Sequence, residues 1–139
     1  GADEIVNSRD EQVAATSVLD LTDHIGPDIV VETAGAKETP RMAIEWTRRG
    51  GTTLLLGIHS TKPEIDFNTI VGPEITVIGS VATSPGDLEA AVELVGRGKI
   101  NLKPLVSSVV PLSRAIEDGF VRMLDPNKEV FRIVIQPGS

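Results

Sequence analysis

Cysteine is absent from the sequence, and aromatic residues make up only 3% of it. Without cysteine, disulfides and thiolate metal sites are excluded. The aromatic residues are Trp46, Phe67, Phe120 and Phe131, so the core must be built from aliphatic side chains. No run of about 18 apolar residues is present for a membrane span, and the N-terminus lacks a signal-peptide pattern. We therefore expect a cytoplasmic protein without a membrane partner.

Positive charge is scarce as well. Thirteen Lys and Arg residues stand against twenty Asp and Glu residues, which gives a net charge of −7 and a pI near 4.8. This balance argues against nucleic acid or an anionic membrane as a partner, because either would need a positive surface. It leaves open an anionic cofactor that is bound by backbone N–H groups and one or two arginines.

Strand-like segments alternate with helix-like segments along the chain. In "PDIVVETAG", the apolar run Ile29–Val31 predicts a strand that is buried on both faces, as in a parallel sheet covered by helices. The order β-α-β-α-β predicts parallel strands with right-handed crossovers. The segments predicted to be extended are 4–6, 29–31, 52–56, 64–67, 75–81, 105–110 and the final "EVFRIVI".

Helix-start patterns separate the predicted strands. Ser8 and Glu11 have the spacing of a capping box for a first helix that extends to about Leu21. A turn is predicted at 125–127. The other predicted helix starts are Thr39-Pro40, with Thr39 as N-cap, Ser84-Pro85 and Leu112-Ser113. Since neither a repeat nor a flexible linker is evident, the pattern indicates one compact α/β unit.

A self-sufficient catalytic constellation is missing from the sequence. There is no G-x-x-x-x-G-K-[ST] phosphate loop and no G-x-S-x-G nucleophile elbow. Two histidines, without any cysteine, are too few strong ligands for zinc. His59 follows a predicted strand, so it lies either near a ligand or in a solvated loop, whereas His24 is better interpreted as a surface residue.

Small residues follow three of the predicted strands. In an open parallel sheet, ligands bind outside the carboxyl ends of the strands, where small residues let a flat ligand lie against the backbone. The alternative is that each glycine only makes the turn into the next helix. The three strand-end segments are Glu32-Thr33-Ala34-Gly35, Leu56-Gly57-Ile58 and Gly79-Ser80-Val81-Ala82.

The order and spacing of several segments resemble one known family. The segments "GADEIVNSRDEQV", "PDIVVETAGA", "AIEWTRRGGTTLLLGIHS", "EITVIGSVATSPGDLEAAVELVGRGKINLKPLVSSVVPLSRAIEDGF" and "FRIVIQP" cover essentially the whole chain. They are similar to the C-terminal part of a medium-chain dehydrogenase/reductase, in the zinc-type alcohol, polyol and threonine dehydrogenase group. The resemblance implies that the chain begins inside a Rossmann domain, after the Gly-rich loop and the zinc-bearing catalytic domain.

The implied fold is α/β, a partial Rossmann-type parallel sheet with flanking helices that lacks the first β-α-β. Residues 1–82 would be the C-terminal portion of a dinucleotide-binding domain. Residues 83–139 would be a C-terminal segment of two helices and a final strand, packing back on that domain. In the family, the edge strand at Ile75–Val81 pairs with its copy in a second subunit, which implies a homo-oligomer.

The resemblance also implies a set of cofactor-binding residues. The adenosine side of a nicotinamide dinucleotide would be lined by Thr33, Ala34 and Gly35. The nicotinamide would lie beside Leu56, Gly57 and Ile58. The same ring would be approached from the neighbouring strand by Ser80, Val81 and Ala82. Arg132 matches a position where the family often places an arginine on the pyrophosphate, the alternative being a solvent-facing arginine at a sheet edge.

The implied activity is hydride transfer between NAD or NADP and a small alcohol or carbonyl substrate. Zinc and most of the substrate pocket would belong to sequence before Gly1, so no catalytic or metal-binding residue is assigned here and the isolated chain is expected to be inactive. Two alternatives stay open. One is the zinc-free quinone-reductase branch of the same family, and the other is a non-catalytic α/β module for ligand binding or assembly.

Overall fold

The computed structural model, which describes residues 2–125 and 129–138, divides into two units, Gly1–Ala82 and Thr83–Ser139. The single compact unit expected from the absence of a linker is therefore wrong. No helix in the described part of the chain is both long and apolar enough to cross a membrane. The predicted turn at 125–127 falls partly on residues 126–128, which lie outside the described residues.

The first unit contains a three-stranded parallel sheet in the order β1-β2-β3. This arrangement confirms the parallel α/β fold that the alternating pattern predicts. Three helices accompany the sheet, and the shortest of them precedes β3. The elements are α1 Glu11–Asp20, β1 Ile29–Glu32, α2 Thr39–Trp46, β2 Thr52–Leu55, α3 Asn68–Val71 and β3 Thr76–Gly79.

The segment before α1 differs from the prediction. Residues 4–6 form no strand, because a short apolar segment becomes a strand only when a neighbouring strand pairs with it. The capping box of Ser8 and Glu11 does not form either. Asp10 is the N-cap, and its carboxylate accepts hydrogen bonds from the N–H groups of Gln12 and Val13. Helix α1 therefore begins at Glu11.

The start of helix α2 also differs from the prediction. Thr39 is its first residue and not its N-cap, because the Thr39 hydroxyl donates to the Glu32 carboxylate at 2.6 Å instead of capping the helix. The helix ends at Trp46. Gly50, which has a positive φ of 66°, lies in the turn that leads into β2.

One face of the sheet is covered and the other is open. Thr53 of β2 is fully buried beneath α2, where its hydroxyl lies 2.8 Å from that of Thr47. On the opposite face, Ile29 is 65% exposed and Val31 is 49% exposed, with Ile78 beside them. The prediction that β1 is buried on both faces is therefore wrong, because Ile29 and Val31 of this strand are exposed. The buried apolar residues of this unit are Ala14, Met42, Ala43, Ile44 and Ile75.

The second unit contains helix α4 and a parallel pair of strands. Ser84 caps α4 through a capping box with Asp87, as the Ser84-Pro85 pattern predicts. The predicted fourth helix is a 3₁₀ turn at Leu112–Arg114 followed by a π-helix at Ala115–Val121. The spacing of apolar residues over so short a segment does not distinguish an α-helix from a 3₁₀-helix or a π-helix. The remaining bounds are α4 Pro85–Gly96, a 3₁₀ turn Lys103–Leu105, β4 Val106–Pro111 and β5 Arg132–Gln136.

Candidate functional site

The carboxyl ends of β1, β2 and β3 lie side by side at one edge of the first unit's sheet. In the register of the sheet, Glu32 pairs with Leu55, which pairs with Gly79. The N–H of Leu56 donates to the carbonyl of Glu32 at 2.8 Å, and the N–H of Ser80 donates to the carbonyl of Leu55 at 3.0 Å. The three predicted strand-end segments of the sequence therefore begin at adjacent positions.

Two glycines allow the first two of these segments to touch. Gly35 has a φ of 66°, and a Cβ at this position would lie 2.6 Å from the carbonyl oxygen of Ile58. A Cβ at Gly57 would lie 2.5 Å from the N–H nitrogen of Gly35. Both contacts are too close for a side chain, so the backbone approach at this edge requires glycine at 35 and 57.

Apolar side chains at the same edge are exposed. Ile58 and Val81 are both strongly exposed, and Leu56 is partly exposed. Ala82, the last residue of the first unit, has a φ of 59°, which is unusual for a residue other than glycine. Exposed aliphatic groups beside small residues suit a flat, partly aromatic ligand better than an ion.

A separate cavity of about 200 Å³ lies on the helix side of β1. Thr33 and Ala34 border it together with Ser8 and Met42. Of the predicted site residues, only these two line the cavity, while Gly35 and the segments 56–58 and 80–82 belong to the strand-end edge itself. The structure thus divides the predicted residues of the first unit between a helix-side cavity and an open edge.

Arg132 lies in the second unit. It is the first residue of β5, it pairs with Val106 of β4, and it is exposed. The assignment of its guanidinium to a pyrophosphate stays a prediction.

Glu32 ends the first strand and belongs to a predicted strand-end segment, but the sequence assigned it no role. It is only 4% exposed, and its Oε1 atom accepts hydrogen bonds from the N–H groups of Ala34 at 2.9 Å and Gly35 at 2.8 Å, as well as from Thr39. Burial raises the pKa of Glu32, but these three hydrogen bonds and the nearby His59 outweigh it, so the net pKa lies below its ordinary value. An acidic residue that ends an apolar strand is the signal that could have revealed it.

A metal ion does not fit these residues. Within residues 2–125 and 129–138, no three His, Asp or Glu side chains lie close enough together to hold one.

Comparison with known proteins assigns the chain to a family. Residues 1–97 match the family described as zinc-binding dehydrogenase. The chain is 32% identical over 131 residues to the 2-dehydro-3-deoxy-L-galactonate 5-dehydrogenase of Pseudoalteromonas atlantica, covering 94% of this chain and 38% of that protein. It is 37% identical over 98 residues to the sorbitol dehydrogenase of Halalkalibacterium halodurans, covering 69% of this chain and 28% of that protein.

Solved structures show the same likeness. The crystal structure of 2R,3R-butanediol dehydrogenase from Bacillus subtilis superposes with a TM-score of 0.80 at 26% identity, covering 98% of this chain and 36% of that one. The chain therefore spans about a third of the length of the relatives that it matches. The family match over most of the chain, together with the parallel sheet and its strand ends, establishes that the chain belongs to the zinc-binding dehydrogenase family.

Proposed function

We propose that this chain is the cofactor-domain segment of an NAD- or NADP-dependent dehydrogenase that transfers hydride between nicotinamide and a small alcohol or carbonyl compound. The relatives named for sorbitol and butanediol favour a polyol or a short-chain alcohol as the substrate class. We further propose a cytoplasmic protein that forms a homo-oligomer through the edge strand at Ile75–Val81.

The observation that carries the proposal is the edge at which β1, β2 and β3 end together. Parallel sheets bind dinucleotides outside the carboxyl ends of their strands. At this edge the backbones of Gly35 and Gly57 lie close together, and the side chains of Ile58 and Val81 are exposed. A surface of small residues and apolar side chains suits the flat nicotinamide and adenine rings.

In this proposal the cofactor supplies the hydride chemistry, and the residues of this chain hold it in place. The nicotinamide lies against Leu56, Gly57 and Ile58, where backbone groups bond its carboxamide. The remaining assignments are Ser80, Val81 and Ala82 beside the same ring, Thr33, Ala34 and Gly35 on the adenosine side, and Arg132 on the pyrophosphate. The zinc that the family name implies would be bound by residues outside this chain.

Because these 139 residues contain no Gly-rich phosphate loop, the chain by itself is proposed to have no turnover. The zinc-free quinone-reductase type of enzyme remains an alternative, since it would use the same strand ends. A non-catalytic assembly module is the other alternative, and the open apolar sheet face around Val31 is the feature that favours it.

The experiment compares two substitutions of the same residue type in the complete gene product. Val81 at the proposed site is 76% exposed, and Val71 on α3 is 73% exposed, so an aspartate at either position costs folding little. We expect Val81→Asp to weaken NADH or NADPH binding about tenfold or more. The new carboxylate repels the cofactor phosphates, and it must lose bound water when the ring lies against it. Val71→Asp should bind like the wild type.

Calorimetric titration with each dinucleotide measures both affinities and also distinguishes NAD from NADP. Equal dinucleotide affinities of the two variants would show that the cofactor does not bind at the strand-end edge. A wild-type protein that binds neither dinucleotide would contradict the dehydrogenase proposal as a whole and favour the assembly module.

A further inference from the structure

The carboxylate of Glu32 organises the loop that follows β1. Its Oε1 atom accepts the three hydrogen bonds from Ala34, Gly35 and Thr39, which tie the strand end to the first turn of α2. Hydrogen bonds to an ionised acceptor are about twice as strong as neutral ones. The loop at 33–35 is therefore held by one charged group.

The other oxygen of the same carboxylate faces the loop that follows β2. Glu32 Oε2 lies 3.6 Å from Nε2 of His59, and both atoms are buried without a hydrogen-bond partner among the described residues. The other ring nitrogen of His59 lies 3.2 Å from the carbonyl oxygen of Ala36. The imidazole thus stands between the two loops, with one nitrogen toward the first loop's backbone and the other toward its carboxylate.

A purely structural role explains this arrangement incompletely. Two adjacent buried polar atoms without hydrogen bonds cost free energy, and a core of apolar side chains would avoid that cost. Gly57 of the second loop lies against the same carboxylate, and any side chain there would collide with Glu32 Oε2. The carboxylate, the imidazole and the glycine together fix how far apart the two loops lie.

We propose that Glu32 and His59 are positioning residues that set the spacing between the loops at 33–35 and 56–58, and thereby the width of the strand-end site for its dinucleotide. This inference rests on the proposed function for the nature of the ligand. Neither residue touches the ligand in this scheme, and each acts through the backbone that does.

The first test uses the 139-residue chain and needs no cofactor. Glu32→Gln keeps the shape of the side chain and removes its charge. We expect amide hydrogen exchange at Ala34 and Gly35 to become about tenfold faster, since their hydrogen bonds lose charge assistance. Unchanged exchange at both amides would overturn the proposed role of Glu32.

The second test uses the complete gene product and the steady-state constants for dinucleotide. His59→Ala should raise the KM for dinucleotide about fivefold or more with little change in kcat, because it widens the site without touching the reacting atoms. His59→Gln should recover part of the loss, since its amide can donate to Glu32. The matched control is His24→Gln, because the His24 side chain is strongly exposed and lies 3.6 Å from the exposed Asp20 of α1.

The outcomes separate the two proposals. A fall in kcat with unchanged KM in His59→Ala, or a His59→Gln variant no better than His59→Ala, would overturn the positioning role. A wild-type protein without any dinucleotide turnover would contradict the proposed function, and the exchange rates at Ala34 and Gly35 would still decide whether Glu32 holds the loop.

Discussion

Glu32 carries a charge in a place where burial opposes it. The carboxylate stays ionised because two backbone N–H groups and the hydroxyl of Thr39 replace the water that it loses. The net effect is a pKa below the ordinary value of 4.5. Since the unfolded chain returns Glu32 to its ordinary pKa, folding and ionisation of this residue are linked.

The linkage predicts how acid destabilises the first unit. Because the folded pKa of Glu32 is lowered, its contribution to stability is complete above about pH 4.5 and is lost as the pH falls through the folded pKa. In the Glu32→Gln variant residue 32 cannot ionise, so the free energy of unfolding of this variant should change less over the acidic range than that of the wild type. Thr39→Val removes one hydrogen bond and should give an intermediate slope. Urea unfolding at a series of acidic pH values measures all three, and equal slopes would contradict the prediction.

Sequence reasoning identified the residues of this edge but missed what holds them. The strand ends were predictable because buried apolar runs end at small residues, as in "IVVETAG". The role of Glu32 was not, because its partners are amides two and three residues away, a hydroxyl seven residues away and a histidine from the next loop. These contacts exist only once β1 and β2 pair.

At the scale of elements, the start of α1 shows how local patterns compete. Both Ser8 and Asp10 are good N-cap residues, and the sequence favoured Ser8 because Glu11 lies three residues later. The structure uses Asp10, whose Oδ1 atom is 3.1 Å from the nitrogens of both Gln12 and Val13. One carboxylate oxygen that satisfies two amides replaces the reciprocal pair of the capping box.

Two alanine variants test this start. Asp10→Ala should lower the free energy of unfolding by about 1 kcal/mol, because two amides of the first turn lose their acceptor. Ser8→Ala should leave stability close to that of the wild type. Thermal unfolding followed by circular dichroism compares them. A larger loss in Ser8→Ala than in Asp10→Ala would restore the capping box as the helix start.

At the scale of the whole molecule, the open surfaces of the sheet matter most. Strand β3 has β2 on one side only in the described sheet, and Ile29, Val31 and Ile78 leave one face exposed. Unpaired edges and open apolar faces favour association with another chain. The sequence predicted the edge but not the open face, because an apolar run does not show which helices are present to cover it.

The edge-strand contact can be tested without disturbing the sheet itself. Thr76 donates its N–H to Gly51, the residue before β2, and Ser80 donates its N–H to Leu55 of β2. The alternate N–H of Val77 therefore points away from β2. Val77→Pro removes this outward donor and should shift the chain toward monomer, whereas Val77→Thr keeps the donor and should associate like the wild type. Sedimentation over a range of concentrations measures the difference. A monomeric wild-type chain would contradict the predicted contact.

The single tryptophan has a practical consequence for studies of folding. Trp46 ends α2 in the first unit, and the second unit has only phenylalanine as an aromatic residue. Tryptophan fluorescence therefore has its source in the first unit, while circular dichroism also detects α4 and the β4–β5 pair of the second unit. Coincident transitions by the two probes would indicate that the units melt cooperatively, and separate transitions would make any single free energy of unfolding undefined for this chain.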